Sequence, residues 1–373
     1  MGERWHVRWR WYEPDEVPVV EFVETTTLKV IAVAIFTDFD RLNDHTNYTF
    51  KSSISFFMTI QQFKTESIKN LTQTSPSPAL DVEVLLLHAL GFTKTELLMK
   101  RDMELSEEKE EWLNEAVERR AAGLPVAYIT GHKEFYGYDF LVTPAVLIPK
   151  PDTEILVSRA VELILEKIEA NPDRLLTVCD MCTGSGCIAL SVLKSLYESE
   201  RVPQERLPKF TLVDISGPAL EIARKNAEAL LLGAGADGKE NLLERVRFVQ
   251  SNLFEQLPYQ FDLVLTNPPY VPSSLTDELL KDGRSEPRLA LDGDITITGD
   301  RAESDDGLEI IRNLMPQIYD HTVSGGFFLM ETGEYNMRGA ENLSYRAGFR
   351  NTQVFTDLEG QERVLYGEKK AGM

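Results

Sequence analysis

Asn267-Pro268-Pro269-Tyr270 constrains the fold of this chain more than any other stretch. It follows Phe261-Asp262-Leu263-Val264-Leu265-Thr266, an apolar run of the kind that forms a buried parallel strand. Successive prolines remove two backbone donors and cannot continue a central strand. The tetrapeptide therefore sits at the carboxyl end of a strand, where open α/β sheets gather their ligands. What remains is a rigid turn with outward carbonyls, an Asn amide before it and an aromatic ring after it. That frame suits the grip of a planar nitrogen group; the plainer alternative is a turn that only ends a strand.

A second motif lies upstream. Thr177-Val178-Cys179-Asp180-Met181 reads as a short strand, Cys182-Thr183-Gly184-Ser185-Gly186 as a turn, and the residues from Cys187 to about Tyr197 as an apolar-periodic helix. Glycines let a ligand approach the backbone, and a helix N-terminus offers free N–H groups to an anion. A further strand, Phe210-Thr211-Leu212-Val213-Asp214, ends in an acid placed to accept from ribose hydroxyls. The polar stretch from Glu198 to Lys209 lengthens the gap between them.

Strand and helix patterns alternate from residue 151 onward, the signature of an α/β doubly wound, mainly parallel sheet. Strands are expected near residues 175–180, 210–214, 246–250, 261–266 and 326–331, with an antiparallel edge from a pair near 350–355 and 362–366. Ahead of this catalytic domain (151–373), residues 131–150 read as a β-hairpin connector and 76–130 as a small helical domain. In that domain Gly91 ends one helix, Ser106 caps another, and Ser75-Pro76-Ser77-Pro78 is a linker. The helix after residue 150 is capped by Asp152 or Thr153 and buries Ile155, Leu156, Ala160, Val161, Ile164, Leu165 and Ile168. Residues 1–75 form a poorly defined extension. Trp5, Trp9 and Trp11 alternate there with Arg4, Arg8 and Arg10, and strands are possible at Val17–Phe22 and Val30–Phe36. The region from Ile295 to Ser304 reads as an insertion, either a mobile flap near the substrate or a disordered loop.

Charge narrows the partners. The chain has 39 Lys+Arg against 60 Asp+Glu, net −21. Nucleic-acid enzymes usually carry a basic face because phosphate neutralisation supplies affinity, so DNA and RNA are disfavoured. An acidic surface suits a basic protein partner. No apolar run reaches membrane-span length. The 3 cysteines indicate a reducing compartment, hence a cytoplasmic chain. Cys179 and Cys182 form a C-x-x-C, but no second pair completes a metal site, so no metal is expected. Small residues packed beneath a ligand loop are the favoured reading over a redox pair.

These motifs together resemble one family. Asp180…Gly184-Ser185-Gly186, then Asp214-Ile215-Ser216, then Asn267-Pro268-Pro269-Tyr270 is similar to the class I S-adenosylmethionine-dependent amino-methyltransferases. Leu124-Pro125-Val126-Ala127-Tyr128-Ile129-Thr130-Gly131, Glu134-Phe135-Tyr136-Gly137 and Leu147-Ile148-Pro149-Lys150-Pro151-Asp152-Thr153-Glu154 narrow this to the HemK/PrmC protein-glutamine methyltransferases. The resemblance implies an enzyme that modifies class-1 peptide chain release factors; a monomer is the expected state. Its helical domain would position that partner, or serve only as a packing appendage. A nucleic-acid adenine or guanine methyltransferase, or one acting on a ribosomal protein glutamine, is the alternative.

The resemblance also implies roles. Cys182, Thr183, Gly184, Ser185, Gly186, Asp214, Asn252, Leu253 and Asn267 would hold S-adenosylmethionine. Asn267, Pro268, Pro269 and Tyr270 would bind the substrate amide. Asn267 and Pro268 would accept its two hydrogens, with the Tyr270 ring against its plane. Two positions depart from the family pattern. Cys182 replaces a glycine, and Asn252 replaces an acid beside Leu253, the apolar flank for adenine.

Overall fold

The computed structural model describes residues 58–232, 241–281, 286–296 and 298–370, together with the backbone of three short upstream strands. Those strands, β1 (His6–Trp9), β2 (Val20–Val23) and β3 (Lys29–Ala32), pair antiparallel in chain order. β2 and β3 overlap the runs expected to be extended. The Trp–Arg side chains of the first eleven residues lie outside the described residues.

The helical layer contains α1 (Ile60–Leu71), α2 (Pro78–Leu90), α3 (Lys94–Met99), α4 (Glu107–Ala121) and α5 (Val126–Thr130). Gly91 ends α2 at φ +65°, and the Ser106 hydroxyl accepts from Lys109 N–H to start α4, as the sequence leads one to expect. The boundary expected at residue 75 is corrected. α1 lies upstream of it, begins in a reciprocal capping box between Thr59 and Gln62, and buries Ile60, Phe63 and Leu71 in the same core as Leu85 and Leu113. Nor is Ser75–Pro78 a free linker. The Ser75 hydroxyl donates to Asp81 Oδ2 at 2.6 Å, and Arg120 from α4 donates to the same oxygen. The low apolar content of that stretch reads as a linker; its two hydroxyls instead satisfy a buried carboxylate.

The connector is a hairpin, β4 (His132–Phe135) and β5 (Tyr138–Leu141), turned at Tyr136 and Gly137 with φ +53° and +78°. Phe135 and Phe140 carry it into the main core. Asn226 ties it to the sheet domain, accepting from Leu141 N–H at 2.7 Å and donating to the Leu141 and Ser185 carbonyls.

The remaining chain runs α6 (Glu154–Ala170), β6 (Thr177–Met181), α7 (Cys187–Glu198), β7 (Lys209–Asp214), α8 (Gly217–Leu231), β8 (Val246–Gln250), β9 (Phe261–Thr266), α9 (Ser273–Lys281), α10 (Glu309–Asp320), β10 (Thr322–Glu331), α11 (Met337–Ala347), β11 (Arg350–Thr356) and β12 (Glu362–Glu368). The sheet order is β11-β12-β10-β9-β6-β7-β8. The strands from β10 to β8 are parallel, and β12 lies antiparallel between β10 and β11. Alternate residues feed opposite cores: Leu263 and Leu265 pack with α6, α7 and α8, and Val264 with α10 and α11. Strand order reverses between β6 and β9, so the ligand crevice opens there.

One helix start differs from expectation. Neither Asp152 nor Thr153 caps α6 with its side chain. A 3-10 turn at Pro151–Thr153 runs straight into the helix, so Thr153 is already αR and its hydroxyl faces the sheet instead.

Removing α1 strips roughly 5–9 kcal/mol of apolar burial from the helical layer. A chain starting at Pro76 is expected to unfold at lower temperature than one starting at Met58, by thermal denaturation followed by circular dichroism. Equal melting temperatures would show that α1 contributes nothing to the domain.

Candidate functional site

The turn after β6 has three residues at positive φ: Cys182 (+59°), Gly184 (+55°) and Gly186 (+81°). Cys182 is thus a side-chain-bearing residue in the left-handed region, at a cost of about 1–2 kcal/mol. Burial also pushes its thiol well above the ordinary range, so it sits there as a neutral packing group. The turn is pinned at successive backbone donors. Thr183 N–H reaches the Val213 carbonyl at 2.9 Å, and Gly184 N–H reaches Asp214 Oδ2 at 2.9 Å. Gly186 has a different task from its neighbours. A Cβ there would lie 3.0 Å from Leu190 Cδ1 and 3.3 Å from both Ala223 and Leu212, so it seats α7 against the sheet.

Beneath the turn lies Asp180, wholly buried. Its Oδ2 accepts from the Thr183 hydroxyl at 2.7 Å and from Ala189 N–H at 3.2 Å; its Oδ1 has no partner. Burial raises its pKa to about 7, partly offset by those two donors. Asp214, at the end of β7, accepts from Gly184 and Ser216 N–H, and burial raises its pKa too. Asn252 and Leu253 follow β8, with Leu253 at φ +50°.

Asn267 follows β9 and donates through Nδ2 to Thr153 Oγ1 at 3.4 Å. Tyr270 has partners of its own. Its hydroxyl donates to Glu331 Oε1 at 3.1 Å, and its carbonyl accepts from Asn336 Nδ2 at 2.8 Å. The loop after α9 presses on its backbone. A Cβ on Gly307, which lies at φ +69°, would fall 2.0 Å from the Tyr270 carbonyl oxygen.

A cavity of ≈ 660 Å³ runs across these strand ends. Of the residues picked out from sequence, Cys182, Thr183, Gly184, Ser185, Asp214, Asn252, Leu253, Asn267 and Pro269 line it; Gly186, Pro268 and Tyr270 do not. Sequence reasoning missed Thr153 as a wall residue, and it missed Glu331, although Glu331 ends a strand in an acid just as Asp214 does. It also missed the opposite wall, Pro144 to Leu147 with Pro149 and Lys150, whose ammonium pairs with Glu286 at 2.7 Å. Within the stretch read as an insertion, Ile295 bridges to Arg301, and Ile295, Thr296, Thr298 and Gly299 line the cavity.

The donor set fits S-adenosylmethionine. The cavity is within the size range of cofactor sites. Asp214 offers carboxylate oxygens for ribose hydroxyls, the N-terminus of α7 suits a carboxylate, and Leu253 gives an apolar flank.

A family model described as the PrmC N-terminal domain matches residues 65–131, and one described as the methyltransferase small domain matches residues 156–304. The release factor glutamine methyltransferase of Koribacter versatilis is 37% identical over 316 residues, 84% of this chain and 99% of its own length. That of Moorella thermoacetica is 37% identical over the same shares, and that of Escherichia coli is 31% identical over 311 residues, covering 83% and 99%.

The raised pKa of Asp180 has a sign. The folded chain prefers the protonated acid, so its cost is absent below pH 3.8, grows as pH rises, and is complete above about 7. The full cost is on the order of 4 kcal/mol. Asp180→Asn should therefore gain melting temperature over the parent as pH rises from about 5 to about 7.5, then hold a nearly constant difference. Parallel melting curves across that range would show that Asp180 does not titrate there.

Proposed function

The chain belongs to the release factor glutamine methyltransferase family, and on that premise we propose that it methylates the side-chain amide nitrogen of the glutamine in the Gly-Gly-Gln loop of class-1 release factors, with S-adenosylmethionine as donor. The observation that carries this reading is Asn267. It stands at the strand end beside the cofactor turn and lines the cavity, with its NH2 donating one hydrogen bond to Thr153 at 3.4 Å and its oxygen left for a ligand.

An amide nitrogen is a poor nucleophile because its lone pair is delocalised into the carbonyl. S-adenosylmethionine, when bound, supplies a methyl group on a positively charged sulfur and hence a good leaving group. The chain has to hold the amide so that its lone pair faces that methyl. Asn267 Oδ1 and the Pro268 carbonyl accept the two amide hydrogens, and their dipoles stabilise the positive charge that grows on nitrogen. The amide proton leaves after transfer, so no general base is required. Positioning of this kind contributes roughly 7–11 kcal/mol at best. Tyr270 serves from behind: through Glu331 and Asn336 it holds the tetrapeptide in place.

A glycine-rich loop enters a narrow crevice with little steric cost, and the net charge of −21 suits a basic protein better than nucleic acid. Among the described residues no helix is long and apolar enough to cross a membrane. We read the enzyme as a cytoplasmic monomer.

Three measurements test this. Incubation of a class-1 release factor with enzyme and labelled cofactor should label the loop glutamine, as read by mass spectrometry. A release factor lacking that glutamine, free DNA, free RNA and ribosomal protein should stay unlabelled; labelling of any of them would refute the assignment. Within the enzyme, Asp214→Ala should weaken cofactor binding by about 1.5–3 kcal/mol in calorimetry. Asn267→Ala should instead lower kcat far more than cofactor affinity or melting temperature.

A further inference from the structure

Two walls of the cavity come from different parts of the fold. One is drawn from the connector between Pro144 and Lys150, the other from Pro287, Leu289 and Ala290 in the loop after α9. Each is fastened to its own support. The buried Tyr128 of α5 donates its hydroxyl to the Val146 carbonyl at 2.6 Å. Val271, the residue after the tetrapeptide, donates its N–H to the Leu291 carbonyl at 2.9 Å and accepts from Gly293 N–H at 2.8 Å. Arg288 pairs with Asp277 at 2.6 Å and with Asp292 at 2.9 Å.

Glu286 joins the two walls. Its Oε1 accepts from Ile148 N–H at 3.3 Å and from the Lys150 ammonium at 2.7 Å, and its backbone runs directly into Pro287. The Glu286 side chain is 12% exposed, so the pair is screened less than one between surface charges. A single glutamate side chain therefore spans from one wall to the other. Asn267 and Pro269 line the same cavity. A peptide that brings an amide to Asn267 has to pass walls that Glu286 keeps from parting. Glycine carries no Cβ and needs the least room; any other residue needs a wall to yield. We infer that Glu286 is a positioning residue that determines specificity: by clasping the Ile148–Lys150 wall to the Pro287–Ala290 wall, it makes the entrance too narrow for a side chain next to the reacting glutamine. This rests on the reading of the substrate as a Gly-Gly-Gln loop.

The test uses the full chain and release factors with alanine in place of either loop glycine. The parent should act on the Gly-Gly-Gln factor with kcat/KM roughly tenfold or more above that for the alanine factors. Glu286→Ala should narrow that ratio to about threefold or less. Glu286→Gln, whose amide oxygen still accepts from Ile148 and Lys150, should keep the parent ratio. A residue that only supported the fold would lower all substrates alike and leave the ratio unchanged. The Ile148 amide hydrogen, followed by NMR without substrate, should exchange slowly in the parent and Glu286→Gln and faster in Glu286→Ala. An unchanged ratio in Glu286→Ala, or a collapsed one in Glu286→Gln, overturns the inference. If Glu286→Ala fails to fold, Leu289→Ala, which trims a half-exposed wall residue, should narrow the ratio instead. An unchanged ratio there, or fast Ile148 exchange in the parent, then overturns it. A parent that labels no release factor sinks the proposed function, and Ile148 exchange decides separately whether Glu286 joins the walls.

Discussion

The in-register parallel ladder of the central strands is the constraint on which the rest depends. Met181 on β6 lies opposite Val213 on β7 and Thr266 on β9, and Thr266 lies opposite Met330 on β10. Four strands therefore end at nearly the same height. The turn at Cys182, the acid at Asp214, the amide at Asn267 and the acid at Glu331 are neighbours for that reason, although far apart in sequence. A slip of one residue in β9 would turn its side chains to the opposite faces and misplace the tetrapeptide.

Burial of acids at those strand ends is what the site costs. Asp180, Asp214 and Glu331 all have pKa values raised by desolvation. Each is only partly repaid by hydroxyl or backbone donors, and Asp180 and Glu331 each keep one oxygen without a partner. Cys182 adds backbone strain in the same place. Stability is drawn from the apolar layers beneath: Leu263, Val264 and Leu265 are fully buried, as are Phe328 and Leu329. An edge this polar persists because the ladder below it is dry and tightly packed.

The loop after α9 shows how buried carboxylates are fully satisfied elsewhere in the same chain. Asp292 accepts from the Ser273 hydroxyl at 2.7 Å and from Arg288, and Asp294 accepts from the N–H groups of Ser273 and Gly307. With these bonds the loop is fastened to the start of α9 and Gly307 is held against the Tyr270 backbone. The contrast with Asp180 and Glu331 is physical. Carboxylates that hold structure have all their donors within the chain, and those at the strand ends retain unfilled capacity.

Local chemistry carried far through the sequence. Apolar runs gave β8 and β9 their bounds, glycine and serine marked the helix ends at Gly91 and Ser106, and double proline placed Asn267 at a strand end. Those features depend on neighbours in the chain, so they are legible without a structure. The place of α1, the bonded state of Ser75, and the separation of Gly186 and Tyr270 from the cavity were not. Thr153 is the clearest case: by sequence it caps a helix, and in the fold it faces a strand end 114 residues away. Which of two partners a short polar side chain chooses is decided by what tertiary packing brings within about 3 Å, and no local pattern records that distance.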